Sequence, residues 1–130
     1  MTLNRRMPPP LRPMGDFQLV RPERTRMKNG MPLNVIRAGS QEVVRLDVLI
    51  GGGQWHQTQA LQALFTNRML REGTSSVTSV QIAEKLDYYG AWLELSSAVN
   101  YGFITLYSLN KYFPSTLAII ADMLKDPAFP

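Results

Sequence analysis

The sequence predicts an α+β fold: a largely antiparallel sheet with helices packed on one of its faces. Strand patterns and helix patterns occur in separate runs, in the order strand, strand, strand, helix, helix, strand, strand, helix, which is typical of α+β proteins. Short turn-forming sequences separate the neighbouring strand patterns, and short connections favour antiparallel pairing of the strands. The 130 residues, 45% of them hydrophobic, are enough for one domain with a core of its own.

A proline-rich arm is predicted over residues 1–23, and the folded domain over residues 24–130. Five of the nine prolines lie in the arm, and proline fixes φ and lacks an N–H donor, so we expect an extended chain there. Residues 1–30 carry a net charge of +5, while the remaining residues carry −1. A basic arm can bind nucleic acid. Because no recognition-helix or aromatic pattern accompanies it, we predict no nucleic-acid partner.

Three strands are predicted to open the domain. Residues 24–28 and 33–37 flank Asn29-Gly30, the signal for a two-residue hairpin turn. Residues 44–50 alternate apolar and polar side chains, which indicates a strand with one buried face. The glycine run at 51–53 ends that strand. It lacks the Lys-Ser/Thr partner of a phosphate loop, so we interpret it as a point where backbone passes close to another segment.

Two helices follow the glycine run. The first is predicted over residues 58–71, with Leu61, Leu64, Phe65 and Met69 as its buried stripe. The second begins after Thr78, because Thr78 and Gln81 have the spacing of a capping box. Gly90 is placed to end this helix. Its expected apolar stripe is Ile82, Ala83 and Leu86.

The last three elements are two strands and a helix. The strands are predicted over residues 92–98 and 103–109, with a turn at 100–102. Pro114 suits the first turn of the closing helix, and Asp126-Pro127 ends it. The stripe expected to be buried in this helix is Leu117, Ile120, Ala121 and Leu124.

Five short motifs stand out because of their order and spacing. They are residues 28–33 (Lys-Asn-Gly-Met-Pro-Leu), 49–53, 69–74 (Met-Leu-Arg-Glu-Gly-Thr), 82–90 and 121–130. In this order they resemble blocks of the insulinase/pitrilysin family of zinc peptidases. The resemblance runs from about residue 24 to residue 130. It implies that these residues are the first part of an insulinase/pitrilysin-type unit and belong to a longer protein.

The resemblance also locates the family's zinc motif. Family members bind zinc through H-x-x-E-H on the first helix, where two histidines are ligands and the glutamate is the general base. Counting back from Gly73, the motif falls on residues 64–68, which read Leu-Phe-Thr-Asn-Arg. Leu64 and Arg68 take the histidine positions and Asn67 takes the base position. An amide cannot accept the proton of water, and neither an alkyl nor a guanidinium group ligates zinc.

His56 is the single histidine of the sequence, so no register allows a two-histidine motif. We therefore predict no catalytic residue, no metal site and no cofactor in this chain, with zinc only in an active partner or another unit. His56 lies in the connection after the glycine run, without an obvious partner. We interpret it as a solvated or locally bonded loop residue.

By resemblance, the chain belongs to a non-catalytic subunit or domain that helps to form the peptide-binding chamber of a zinc peptidase. The expected partners are a homologous zinc-bearing subunit or domain and a peptide substrate, held as an added strand along a sheet edge. A homodimer is an alternative assembly. Two other functions stay open. One is an active zinc metalloendopeptidase whose H-x-x-E-H lies in another unit. The other is a scaffold or binding subunit with no peptidase role.

The sequence predicts no membrane span, because no apolar run is long enough. Prolines 8–10 stand where a secretory signal needs an apolar segment. The chain has no cysteine, which fits a reducing compartment. We expect a cytoplasmic protein, with the periplasm as the alternative.

Overall fold

The computed structural model describes residue 8 and residues 11–130. It divides into two compact units, Met1–Ser40 and Gln41–Pro130. Both contain antiparallel strands, and the second adds three helices, so the predicted α+β class is confirmed. Residues 11–22 of the predicted arm contain neither helix nor strand. The arm's residues 1–7, 9 and 10 lie outside the described part of the chain.

The described residues of the first unit form a β-hairpin. Strands β1 (Glu23–Arg26) and β2 (Pro32–Val35) pair in antiparallel register, with Arg26 opposite Pro32. The predicted hairpin is therefore present, but the prediction of a two-residue turn is wrong. Gly30 has a φ of 84°, and its N–H donates to the carbonyl of Met27 at 2.9 Å. Asn29 stays at negative φ, whereas a type I′ turn needs positive φ at both central residues.

The second unit is built on a three-stranded antiparallel sheet. Its strands are β3 (Val43–Gly51), β4 (Trp92–Ser97) and β5 (Tyr101–Leu109), arranged in the order β3-β5-β4. The turn predicted at 100–102 lies earlier in the chain, at residues 98–101. The N–H of Ala98 donates to the carbonyl of Tyr101 at 2.8 Å across this turn. β5 is consequently longer than predicted, and its first residues reach the end of β3.

Helix α1 covers Gln62–Met69, and a 3₁₀ turn follows at Leu70–Glu72. The predicted start at residue 58 is wrong because Leu61 adopts a φ of 67°. This left-handed conformation cannot belong to a right-handed helix. The four residues before the helix instead form a turn in which the N–H of Thr58 donates to Oε1 of Gln62 at 2.9 Å.

Helix α2 covers Ser79–Tyr88 and follows the sequence prediction closely. Both hydrogen bonds of the capping box are present between Thr78 and Gln81. Gly90 closes the helix with a φ of 60°. Helix α3 covers Phe113–Lys125, with proline in its first turn as predicted. None of the helices in the described residues combines the length and apolar character needed to cross a bilayer.

The core of the second unit lies between the helices and one face of the sheet. Its buried apolar members are Leu70, Ile82, Leu86, Ile104, Leu106, Ile120 and Met123. Ile104 and Leu106 lie two residues apart on β5, so they share one face of the sheet. The helical residues of the core pack on that face, as the predicted layering requires.

The buried stripes differ from those predicted. Leu61, Phe65, Ala83 and Leu117 are exposed, and Leu64, Met69, Ala121 and Leu124 are half-buried. The faces that turn inward carry polar side chains as well as apolar ones: Asn67 in α1 and Thr116 in α3 are buried. Hydroxyl Oγ1 of Thr116 donates to Oγ of Ser108 on β5 at 3.0 Å. A hydroxyl group that is hydrogen-bonded can be buried in a core at little cost in free energy. Hydrophobic periodicity does not identify such buried polar residues.

The glycine run behaves as the sequence predicts. The N–H of Gly53 donates to the carbonyl of Asn100 at 3.2 Å, and the next residue bonds to Ala98. A Cβ at Gly53 would lie 2.4 Å from the carbonyl oxygen of Ala98. The chain therefore leaves β3 in direct backbone contact with the β4–β5 turn.

Candidate functional site

Helix α1 carries the three residues that sequence reasoning placed at the zinc-motif positions. Asn67 is buried, Leu64 is half-buried and Arg68 is exposed. On a helix, residues 64 and 68 share one side, while residues 63 and 67 share a neighbouring side. The structure therefore turns Asn67 toward the sheet and leaves the Arg68 guanidinium outside. The three side chains do not converge on one point.

Asn67 lies against the first residues of β5. Its Nδ2 is 3.5 Å from the carbonyl oxygen of Phe103, which is the outer limit of a hydrogen bond. A Cβ at Gly102 would lie 2.9 Å from Nδ2. The amide therefore occupies space that exists because residue 102 has no side chain.

Oδ1 of Asn67 has no hydrogen-bond partner among the described residues. The side chain is only 7% exposed, so bulk water does not reach this oxygen freely. A buried acceptor without a donor costs roughly 1–3 kcal/mol. Such groups are uncommon in folded proteins and call for an explanation.

Asn67 lines a cleft of about 440 Å³ in the second unit. The cleft is bounded by the end of β3, the start of β5, helix α1 and the residues after α3. Its apolar lining is Ile50, Ala63, Leu70, Leu124, Pro127 and Phe129, and its polar lining includes His56, Gln57, Gln62, Thr66 and Asn67. None of the lining residues is Asp, Glu, Lys or Arg. The cleft is therefore half apolar and carries no fixed charge.

Two glutamine side chains fix the polar side of this cleft. Oε1 of Gln62 accepts from the N–H and the hydroxyl of Thr58, at 2.9 and 3.1 Å. Oε1 of Gln57 accepts from the N–H of Ala63 at 3.4 Å. Because the side-chain oxygens of both glutamines already accept hydrogen bonds from the protein, their Nε2 groups are the donors that these side chains still offer.

Strand β4 forms one edge of the sheet. It pairs with β5 on one side and has no second neighbour within the described residues. Helix α1 packs beside β4 and β5. An unpaired edge presents a row of backbone N–H and carbonyl groups to which another chain can add as a strand.

The sheet face opposite the core carries an ion pair on β3, which also accepts a hydrogen bond from β5. Nε of Arg45 lies 2.9 Å from Oδ2 of Asp47, and the hydroxyl of Thr105 donates to Oδ1 of Asp47 at 2.8 Å. The hydrogen bond to Asp47, with its negative charge, raises the pKa of the Arg45 guanidinium above its usual value. Since arginine stays protonated in any case, this pair is a permanent ion pair on the surface.

A family of known proteins matches the whole of the second unit. Its description is Insulinase (Peptidase family M16), and the match covers residues 35–130. The chain belongs to the insulinase family. This confirms the resemblance on which the sequence analysis rested. No curated protein matches the chain significantly.

Two solved structures show the same fold as this insulinase-family chain. One is the peptidase M16 inactive domain from Pseudomonas fluorescens, with a TM-score of 0.78 and 22% identity. The other is a protease from Helicobacter pylori, with a TM-score of 0.74 and 14% identity. Each match covers 84% of this chain and 27% of the other chain. The chain therefore spans about a quarter of the length of these relatives.

The residues predicted to take the family's zinc positions do not fit zinc. Leu64 has no lone pair, and Arg68 carries a permanent positive charge. Within the described residues no three His, Cys, Asp or Glu side chains come together as a metal site. No chemical step through zinc can be derived for these residues.

Sequence reasoning located Leu64, Asn67 and Arg68 on one helix but missed the cleft. His56, interpreted as a solvated loop residue, is exposed in the 3₁₀ turn Gln54–His56 and lines the cleft rim. Gln57, Gln62 and Thr66 are ordinary polar residues in the sequence, and no local pattern marks them. Only the packing of α1 beside β4 and β5, together with the course of the chain past the end of β3, brings them to Asn67.

Proposed function

We propose that this insulinase-family chain is part of a non-catalytic subunit or domain of a zinc peptidase and helps to form its peptide-binding chamber. The observation that carries the proposal is the Leu-Phe-Thr-Asn-Arg sequence at residues 64–68 of α1, in a chain of the family with a single histidine. Metal ligation and base catalysis need side chains that this helix does not supply. The catalytic zinc is accordingly proposed to lie in a homologous partner subunit or in another unit.

The Pseudomonas fluorescens relative is described as an inactive domain, which supports the existence of non-catalytic units with this fold. Its identity with the present chain is low, so the support concerns the kind of unit. A role in peptide binding is supported by the edge of β4 that stays unpaired within the described part of the chain. A peptide held there would run beside α1, where an active family member has its metal.

The decisive experiment is isolation of the full-length protein from its native cell, followed by identification of the co-purifying chains by mass spectrometry. We expect a homologous chain that contains H-x-x-E-H, in equal amount. Recovery of the protein alone, with an intact motif elsewhere in its own sequence, would instead indicate a single active enzyme. Recovery in a stable assembly without any zinc-bearing chain and without peptide turnover would indicate a scaffold role.

A second prediction concerns the motif positions. The purified chain is expected to hold no stoichiometric zinc. Asn67→Glu is expected to give neither zinc binding nor peptide hydrolysis, because the two histidine ligands of the motif would still be absent. Metal content is measured by mass spectrometry after dialysis, and hydrolysis with a fluorogenic peptide. The matched control is Leu64→His combined with Arg68→His. Two histidines four residues apart on a helix bind zinc together, so this variant should gain zinc. One tightly held zinc per wild-type chain would contradict the assignment.

A further inference from the structure

The basic charge of the chain is concentrated in the first unit, where the proposed function makes no use of it. Residues 1–40 contain eight basic and two acidic side chains, whereas residues 41–130 contain six basic and eight acidic ones. Part of this charge lies on the β1–β2 hairpin, where the structure fixes its position. We call residues 26–31, which form the turn and its flanks, the hairpin tip.

Four hydrogen bonds hold the hairpin tip in one conformation. The N–H of Met27 donates to the carbonyl of Met31, and the N–H of Gly30 donates to the carbonyl of Met27, both at 2.9 Å. The N–H of Met31 donates to Oδ1 of Asn29 at 3.1 Å. The guanidinium of Arg26 donates to the carbonyl of Gly30 at 3.0 Å. The tip is therefore a defined structure that places its side chains at fixed positions.

Three cations lie close together at this end of the hairpin. Arg24 and Arg26 are two residues apart on β1 and therefore share one face of the strand, and Lys28 follows in the turn. All three are exposed, and no carboxylate of the described residues forms an ion pair with them. The hairpin's own carboxylate, Glu23, is engaged by Nε of Arg37 at 3.3 Å. Such a cluster attracts a partner with many negative charges.

Two exposed methionines lie beside these cations. Met27 and Met31 face each other across the turn and are 46% and 49% exposed. Apolar side chains next to cations are typical of segments that lie in the interface of an anionic bilayer. There the cations pair with lipid phosphates, and the apolar side chains enter the layer beneath the headgroups.

We propose that the hairpin tip binds the surface of an anionic phospholipid bilayer, with Arg24, Arg26 and Lys28 at the headgroups and Met27 and Met31 in the layer beneath them. This attachment goes beyond the proposed function and does not depend on it. The hairpin fits a bilayer better than a single-stranded nucleic acid. Bases are bound by stacking on aromatic side chains, and residues 23–35 include no Phe, Tyr or Trp.

The test is co-sedimentation of the complete chain with vesicles of phosphatidylcholine, with or without about one third phosphatidylglycerol. We expect binding to the anionic vesicles only, and at least a tenfold loss when salt is raised from about 0.1 M to about 0.5 M. Changing Arg24, Arg26 and Lys28 together to Gln should weaken binding about a hundredfold, since each cation near an anionic surface contributes a factor of about five.

Two control variants separate local charge from total charge and from its chemical form. Lys85→Gln, Lys111→Gln and Lys125→Gln together remove the same charge from exposed positions of the second unit, and should weaken binding less than about threefold. Arg24→Lys with Arg26→Lys keeps the charge of the hairpin and should bind like the wild-type chain.

The methionines are tested at constant charge. Met27→Ser with Met31→Ser should weaken binding to the anionic vesicles roughly tenfold, because two apolar side chains no longer leave water. Val80→Ser with Val99→Ser, at exposed apolar positions of the second unit, is the matched control and should leave binding unchanged.

Equal binding to neutral and anionic vesicles would overturn the proposal, as would equal binding of the wild-type chain and the glutamine variant of the hairpin. Binding to a single-stranded RNA oligonucleotide instead of vesicles, with no effect of the methionine changes, would replace the bilayer by nucleic acid. Co-purification of a zinc-bearing homologue tests the proposed function separately, because it does not depend on the vesicle result.

Discussion

Gly53→Ala is expected to lower the free energy of unfolding of the second unit by about 3 kcal/mol. The added Cβ would lie 2.4 Å from the carbonyl oxygen of Ala98 and 2.5 Å from the nitrogen of Tyr101. Both atoms are backbone atoms of the β4–β5 turn, so no side chain can rotate away and the turn itself must shift. Forced overpacking of this kind typically costs 1–3 kcal/mol, and more where the neighbours are rigid.

Gly51→Ala provides the matched control for this prediction. A Cβ at Gly51 would meet nothing within 4 Å, so its effect should stay within about 0.5 kcal/mol. Urea unfolding followed by circular dichroism measures both variants. Equal stabilities would show that the turn yields freely and that the close approach does not constrain the fold. A large effect would show that the end of β3, which borders the cleft, is fixed by the turn.

Leu106→Ala is expected to lower the free energy of unfolding by about 2–5 kcal/mol. Leu106 is 1% exposed and lies on the central strand β5, where the helices pack on the sheet. Truncation removes apolar contacts and leaves a cavity that the surrounding close-packed side chains fill only in part.

The same substitution at the end of β5 is the control. Leu109 is 36% exposed and borders solvent, so Leu109→Ala should cost less than about 1 kcal/mol. The comparison by urea unfolding is valid if the slope with denaturant stays constant. A loss at Leu109 as large as that at Leu106 would contradict the position of the core given by the structure.

The core and the cleft are connected through α1 and the 3₁₀ turn that follows it. Leu70 belongs to the core and also lines the cleft, three residues after Asn67. Packing of Leu70 therefore fixes the rotation of α1, and this rotation turns Asn67 inward. Burial of the apolar Leu70 side chain thus holds the neighbouring Asn67 amide in its buried position.

Two local signals in the sequence predicted their structures correctly, and a third did so only in part. The capping box at Thr78 and Gln81 depends on two hydrogen bonds within one turn. The alternation along β3 depends on the two-residue period of a strand. The hairpin loop of the first unit was predicted as one residue too short, because Asn29-Gly30 fits both a type I′ turn and a type I turn with glycine at the next position.

The start and buried face of α1 were predicted wrongly for a physical reason. Periodicity favoured Leu61 and Phe65 as buried residues, yet Leu61 adopts left-handed backbone and Phe65 is exposed. The side of a short helix that faces inward is set by its contacts with the sheet, and here the missing side chain of Gly102 leaves room for Asn67. Neither contact is local in sequence.

The sequence by itself determined the α+β class, the membership of the insulinase family and the absence of a two-histidine zinc motif from these 130 residues. These follow from periodicity, motif order and residue identity, which need no coordinates. The tertiary structure alone decided that Asn67 is buried, with an oxygen that no described residue pairs, and that Gln57, Gln62 and His56 join it at one cleft. Such a site is made by packing distant segments together, and packing depends on the shape of the whole unit.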